Sequence, residues 1–254
     1  MEMTVYEIVA TIIAALALIQ PWLIAAYKKF CKKIKVVFRP SSTIKLFYNQ
    51  SGSYVSLGGV IESKNKSCVV NNISVKVVRD SDKAELNTDW STFSSPIFQL
   101  VAGNAVTSSE TARPFKIESN NLYPVFVEFV NKNSNENDKI KEIIDDVKNK
   151  THELIKNPVD LSTNLKSLKQ YKKYKEYEKE LLENYYWKEG KYSLYLNITY
   201  NEKEVLQNKY DFNITKDDVK KFKDNITKSL DCEMYNSYRQ TLSFFSAQKE
   251  FKSN

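Results

Sequence analysis

Hydrophobic and polar positions change rhythm four times along this chain. From Ile8 to Ala26 the run IVATIIAALALIQPWLIAA carries no charge and is apolar on every side. A helix of that length rises roughly 28 Å, close to the hydrocarbon thickness of a bilayer. The pattern predicts a membrane helix over residues 8–26, kinked near Pro21, which frees a backbone carbonyl. Trp22 and Tyr27, with Phe30, suit the interfacial aromatic belt. The residues before the run include Glu2 and Glu7 and no Lys or Arg, which argues against the basic n-region of a cleaved signal peptide. Lys28, Lys29, Lys32, Lys33 and Lys35 follow it. The positive-inside rule then puts the rest of the chain in the cytoplasm, and the same lysines can meet anionic lipid headgroups.

From about residue 34 the period becomes two. Ile44, Leu46 and Tyr48 alternate with Lys45 and Phe47, and Ile73, Val75 and Val77 with Ser74 and Lys76. Val55, Leu57 and Ile61 share a face, with Gly58-Gly59 marking a bulge or a close backbone approach. Tyr123, Val125, Val127 and Phe129 continue the pattern, with shorter candidates at 34–39, 97–101 and 114–118. Strands this short, divided by Asn, Ser, Asp, Gly and Pro, suggest an all-β antiparallel sandwich.

Residues 136–187 switch to helical spacing. Ile140, Ile143, Ile144, Val147, Leu154 and Ile155 recur on one face until Asn157-Pro158. Leu161, Leu165, Leu168, Tyr171, Leu181 and Leu182 read as a second helix, capped near Asp160 or Ser162. This predicts a helical hairpin inserted into the β body and stopped by Gly190. The alternation returns at Tyr192, Leu194, Leu196, Ile198 and Tyr200, turns at 201–203, and resumes at Tyr210, Phe212 and Ile214. Thr215 and Asp217-Asp218 then open a last helix with Val219, Phe222, Ile226 and Leu230 on one side. The expected fold is therefore mainly β with α additions. It has an anchor and basic stop at 1–33 and a β body at 34–254 that carries the insertion at 136–187.

Composition limits the chemistry. With 16 Tyr and 13 Phe in 254 residues the body is not disordered, and five Gly leave no glycine-rich phosphate loop. The net charge of +7 raises nucleic acid or anionic lipid as partners. Arg, the usual reader of base edges, occurs only at Arg39, Arg79, Arg113 and Arg239, which disfavours nucleic acid. Cys31, Cys68 and Cys232 are odd in number and widely spaced, so neither a disulfide framework nor a zinc site is expected, and no cofactor is. Seven N-x-S/T triplets are the yield of an Asn-rich chain, two of them inside apparent strands.

Three groupings invite a chemical reading. His152, the single histidine, sits beside Glu153 and near Asp145 and Asp146, a proton-transfer set if it were enclosed in a cleft. A solvated helix face suits these Lys- and Glu-rich surroundings better. Tyr171, Tyr174 and Tyr177 in QYKKYKEYEK could stack bases. Their spacing of three drifts round a helix, so helix packing or a protein-partner surface is the better reading. Asp80, Asp82, Glu85 and Asp89, followed by Trp90, gather carboxylates without the spacing of a calcium loop.

The stretch from Tyr48 to Trp90 resembles a loose group of uncharacterised bacterial proteins that have an N-terminal membrane helix, a basic stop and an Ig-like β domain. The likeness lies in the glycine-bearing strand around Gly58-Gly59, the Val-rich strand ending at Arg79, and Trp90. It implies a fold and a topology, and neither an activity nor site residues. The expectation for function is a membrane-tethered binding or adaptor module and not an enzyme. Its candidate partner surface is Tyr171, Tyr174 and Tyr177 with Phe244 and Phe245 of the tail. The alternatives are an oligomerising membrane effector, whose motive is Gln20 and Pro21, and a binder of anionic lipid or nucleic acid through the Lys-rich surface.

Overall fold

The apolar N-terminal run forms α1 (Val5–Phe30), one continuous helix with Pro21 inside it. The structure is a computed structural model and describes residues 4–30, 32–101, 104–132, 138–156 and 159–253. Val5–Tyr27 of α1 is long and apolar enough to cross a membrane, and a signal sequence satisfies the same criteria. None of that window is buried, and Trp22, Tyr27 and Phe30 are exposed. Cys31 and the side chains of Lys28 and Lys29 lie outside the described residues.

The period-two segments form β1 (Lys35–Asn49), β2 (Gly52–Lys64), β3 (Cys68–Arg79), β4 (Glu85–Val101), β5 (Asn104–Thr111), β6 (Phe115–Ile117) and β7 (Leu122–Lys132). After the insertion come β8 (Gly190–Tyr200) and β9 (Glu204–Ile214), and the tail supplies β10 (Ala247–Glu250) and β11 (Lys252–Ser253). All pair antiparallel in one 11-stranded sheet, ordered β10-β1-β2-β7-β4-β3-β8-β9-β11, with β5 on β4 and β6 on β3.

An Ig-like sandwich of two facing sheets is not confirmed. The sheet curls until it is nearly closed into a barrel. One cause is β4, which pairs with β3 through residues 85–88 (Val75↔Thr88) and with β7 after that (Asp89↔Val130). It thereby joins what would otherwise be two sheets. Register shifts at Pro40/Ile44 in β1 and Trp90/Thr92 in β4 add the local bending that closure needs. The tail brings the two ends of the sheet together from the other side. Residues of β10 pair with β1 (Leu46↔Ala247), and two residues later β11 pairs with β9 (Lys252↔Asp211), so one short segment bridges both free edges. Gly59 is a true close approach, because a Cβ there would lie 2.5 Å from the Phe38 ring.

The insertion holds three helices where the spacing predicted two: α2 (Asp138–Lys156), α3 (Leu161–Gln170) and α4 (Lys172–Glu183). The chain leaves helical geometry at Tyr171 (φ −64, ψ 128), whose N–H reaches back to the Leu168 carbonyl. A continuous apolar stripe does not reveal a one-residue break of this kind. Asp160 caps α3 as expected, accepting the Thr163 N–H at 2.9 Å. The final helix, α5 (Lys216–Ser237), opens with a capping box between Thr215 and Asp218.

These helices are part of the main core. Leu165, Leu168, Tyr174, Tyr177 and Leu181 of the insertion are buried in the same cluster as Val55, Phe129, Leu194 and Ile226. Every helix after α1 joins the strands at one end of the barrel. The ladder ends there with Gly52↔Lys132 and Gly190↔Ile214, while α1 leads into the opposite end, at Lys35↔Lys64.

Candidate binding cleft between the helices

On α5 the apolar stripe of Phe222, Ile226 and Leu230 faces the core. A polar stripe of Ser229, Glu233 and Asn236 runs beside it at steps of four and three, which keep it on one helix face. On α2, Ile144, Val147 and Thr151 make the matching stripe. Where the two meet there is a cleft of about 300 Å³. Its apolar lining comes from Ile144, Val147, Tyr177 and Leu230; buried Thr151 and Ser229 add hydroxyls, and Gln50, Lys148, Cys232, Glu233 and Asn236 make a polar rim.

Hydrogen bonds fix the walls. Ser229 Oγ accepts the Gln50 N–H at 3.0 Å and donates to the Ile226 carbonyl at 2.8 Å, so the end of β1 is fastened to α5. Thr151 spends its hydroxyl on the Val147 carbonyl at 2.9 Å. Tyr177 lies with its phenol pushed up to about 12 by burial, so it stays neutral. On the rim, His152 Nε2 lies 2.8 Å from Glu233 Oε1, clamping α2 to α5. Among the described residues Lys148 has no ion-pair partner, which leaves one cation on the rim.

Each residue singled out in the sequence has a definite place. His152 meets Glu233 of α5, a carboxylate distant in sequence, and not Glu153, which pairs with Lys150 at 2.9 Å. Both partners of the His152 contact are about half exposed, at 58% and 48%, and such a pair contributes less than about 1 kcal/mol. It fastens two helices and is not enclosed, as proton transfer would require.

Tyr174 and Tyr177 are buried, so they do not form an exposed partner surface. The Tyr174 hydroxyl donates to Asp231 Oδ1 at 2.7 Å, and Lys169 pairs with the other oxygen at 2.7 Å. Tyr171 is half-buried at the α3–α4 break and packs against the core. Phe244 and Phe245 dock on the body, with rings 6.1 Å from Phe47 and 5.4 Å from Phe222.

Of the carboxylates in residues 80–89, Asp82 serves a buried guanidinium. Arg79 donates from Nε and Nη2 to Asp82 at 2.8 and 2.7 Å, and from Nη1 to the Tyr186 carbonyl. The Arg79 bond holds the Asp82 carboxyl down at about 2. Glu85 pairs with Lys76 at 3.0 Å, and Asp80 accepts from Ser193. Among the described residues, no group of three His, Cys, Asp or Glu is placed to hold a metal ion.

Lys33 of the predicted membrane-interface set borders a second, open hollow of about 570 Å³ with Ile34, Lys66, Ser67, Asn201 and Glu204, at the end of the barrel where α1 enters. The sequence reading missed the cleft residues Ser229, Glu233 and Asn236. Their spacing on α5 was a signal, but it becomes a wall only once α2 is laid against it. Compared with family models, curated proteins and solved structures, the chain matches none of them.

Proposed function

We propose that this chain is a membrane-anchored binding module. In this reading α1 spans the bilayer and the lysines after it keep the barrel in the cytoplasm. A protein partner seats in the cleft between α2 and α5. The observation that carries the reading is that cleft, with its apolar and polar lining and with Lys148, which has no ion-pair partner among the described residues. A site of this make-up suits a segment that inserts one apolar side chain and offers a carboxylate to the lysine. Its position supports the same view, because the helices cap the end of the barrel opposite α1 and so face away from the membrane.

Removing the whole insertion would also remove Leu168, Tyr174 and Leu181 from the core, so deletion cannot separate binding from folding. Substitutions on the rim can. Lys148→Glu and Asn236→Arg should leave thermal unfolding unchanged and remove the proteins that co-purify with the intact chain in mild detergent. An unchanged set of co-purifying proteins in the folded double variant would refute the cleft as the contact site.

A further inference from the structure

We infer that two copies of this chain pair within the bilayer through the face of α1 that carries Ile13, Leu16, Ala17, Gln20 and Leu23. This rests on the reading of α1 as a membrane helix. It goes beyond the binding-module proposal, because it concerns a second surface and a different partner.

The reason is an unmet hydrogen-bonding demand. Thr11 spends its hydroxyl on the Glu7 carbonyl at 2.7 Å, and between Ile12 and Pro21 the only polar side chain is Gln20. Among the described residues Gln20 has no partner. Pro21 has no N–H, so the Ala17 carbonyl, one turn earlier, loses its regular helical donor. Ala17 and Gln20 are three apart and share a face. That face therefore presents two N–H donors from the Gln20 amide and two acceptors, Gln20 Oε1 and the Ala17 carbonyl. Hydrocarbon offers a partner for neither.

The surface there is also shaped for close approach. The small Ala17 leaves a shallow groove of about 430 Å³ between Ile13, Leu16, Gln20 and Leu23. Among the described residues nothing covers it, since none of the span is buried and the core cluster contains no residue of α1. A second copy satisfies every atom at once. Both bodies lie on the same side of the membrane, so the two helices run parallel. A two-fold axis then sets each Gln20 amide against the partner's Gln20 and Ala17 carbonyl. Ile13, Leu16, Gln20, Leu23 and Tyr27 follow steps of three and four, the seam of a left-handed helix pair. A single polar residue in such a seam fixes register.

The test uses the full chain. Flotation with liposomes and resistance to alkaline carbonate establish insertion. Sedimentation equilibrium in density-matched detergent micelles then measures self-association. The expected result is a reversible dimer that Gln20→Leu weakens about tenfold. Ala17→Leu, which fills the groove, should weaken it as well. Gln20→Asn, which keeps the amide, should retain part of the affinity, and Trp22→Leu, on the opposite side of α1, should not change it. An inserted chain that stays monomeric at every concentration overturns the inference and leaves the anchor intact. A dimer that survives both Gln20→Leu and Ala17→Leu overturns it too, since the contact would then belong to the barrel. A chain that fails to float and is stripped by carbonate overturns the membrane reading and this inference with it.

Discussion

Asn225 holds Phe245 with both ends of its amide. Its Nδ2 donates to the Phe245 carbonyl at 2.7 Å, and its Oδ1 accepts the Phe245 N–H at 2.9 Å. The side chain thus does for the tail what a neighbouring strand would do, two residues before β10 begins. The same Nδ2 also donates to the Tyr48 carbonyl on β1 at 3.2 Å, so one fully buried amide ties helix, tail and strand together.

Replacing Asn225 with Ala should therefore cost more than a typical buried polar residue. It breaks three hydrogen bonds to backbone groups, and about 3 kcal/mol is expected. Urea unfolding gives the magnitude. Hydrogen exchange gives the location: amides of 245–253 should lose protection before those of β2 or β8. A uniform loss across all strands would show that the tail does not open separately.

Tyr174 and Tyr210 are both buried phenols, yet removing their hydroxyls should have opposite effects. The Tyr174 hydroxyl donates to Asp231, a carboxylate whose side chain is 4% exposed. Tyr174→Phe should cost about 2 kcal/mol, because a bond to a buried charge is lost. The Tyr210 hydroxyl has no hydrogen-bond partner among the described residues. Tyr210→Phe should lose nothing and gain up to about 1 kcal/mol. Equal destabilisation by the two substitutions would contradict this account.

The two phenols also mark the limits of sequence reading. Alternation along 192–200 and 210–214 was enough to find β8 and β9, because each strand has one face in a shared core and one outside. Thr215 and Asp218 announced the start of α5 because a capping box is a local pattern. The near-closure of the barrel was hidden, since it depends on β4 leaving β3 for β7 and on a seven-residue tail segment, 247–253, that has no strand-like alternation. Tyr174 and Tyr177 drift round a helix when taken alone, which reads as a surface. They are buried because α2 and α5 cover that side. The cleft was invisible for the same reason: its walls are some 80 residues apart, and His152 finds its carboxylate on the far one.

Gly59 offers a test of packing in the barrel wall. A Cβ at this position would lie 2.5 Å from Phe38 and 2.7 Å from the Arg39 carbonyl oxygen. Gly59→Ala should destabilise by about 2 kcal/mol through overpacking. Combining it with Phe38→Leu should restore only part of that loss, because the backbone oxygen cannot move aside as a ring can. Full recovery in the double variant would show that the ring alone requires glycine.

Acid should loosen the β3–β4 turn in a range set by Asp82. Its carboxyl is held at about 2 by the Arg79 bond, against 3.8 for an ordinary aspartate. A carboxyl with a lowered folded value contributes stability above its unfolded value, and that contribution is lost as pH falls through the folded value. The Arg79–Asp82 clamp is therefore at full strength above about pH 4 and fades between about pH 4 and 2. Arg79 stays charged throughout, and burial at 5% exposure makes its loss of a partner felt by Tyr186, whose carbonyl shares the same guanidinium. Asp82→Asn should melt at a lower temperature than the parent at pH 6, and the difference should shrink as pH falls from 4 toward 2. Melting curves that stay a constant distance apart over that interval would mean that another carboxylate governs the acid limb, the first candidate being Asp218. Burial raises the Asp218 carboxyl, but its bonds from Lys249 and Thr215 outweigh burial and hold it below the ordinary value. Lys249→Met should then remove the acid response that Asp82→Asn left in place.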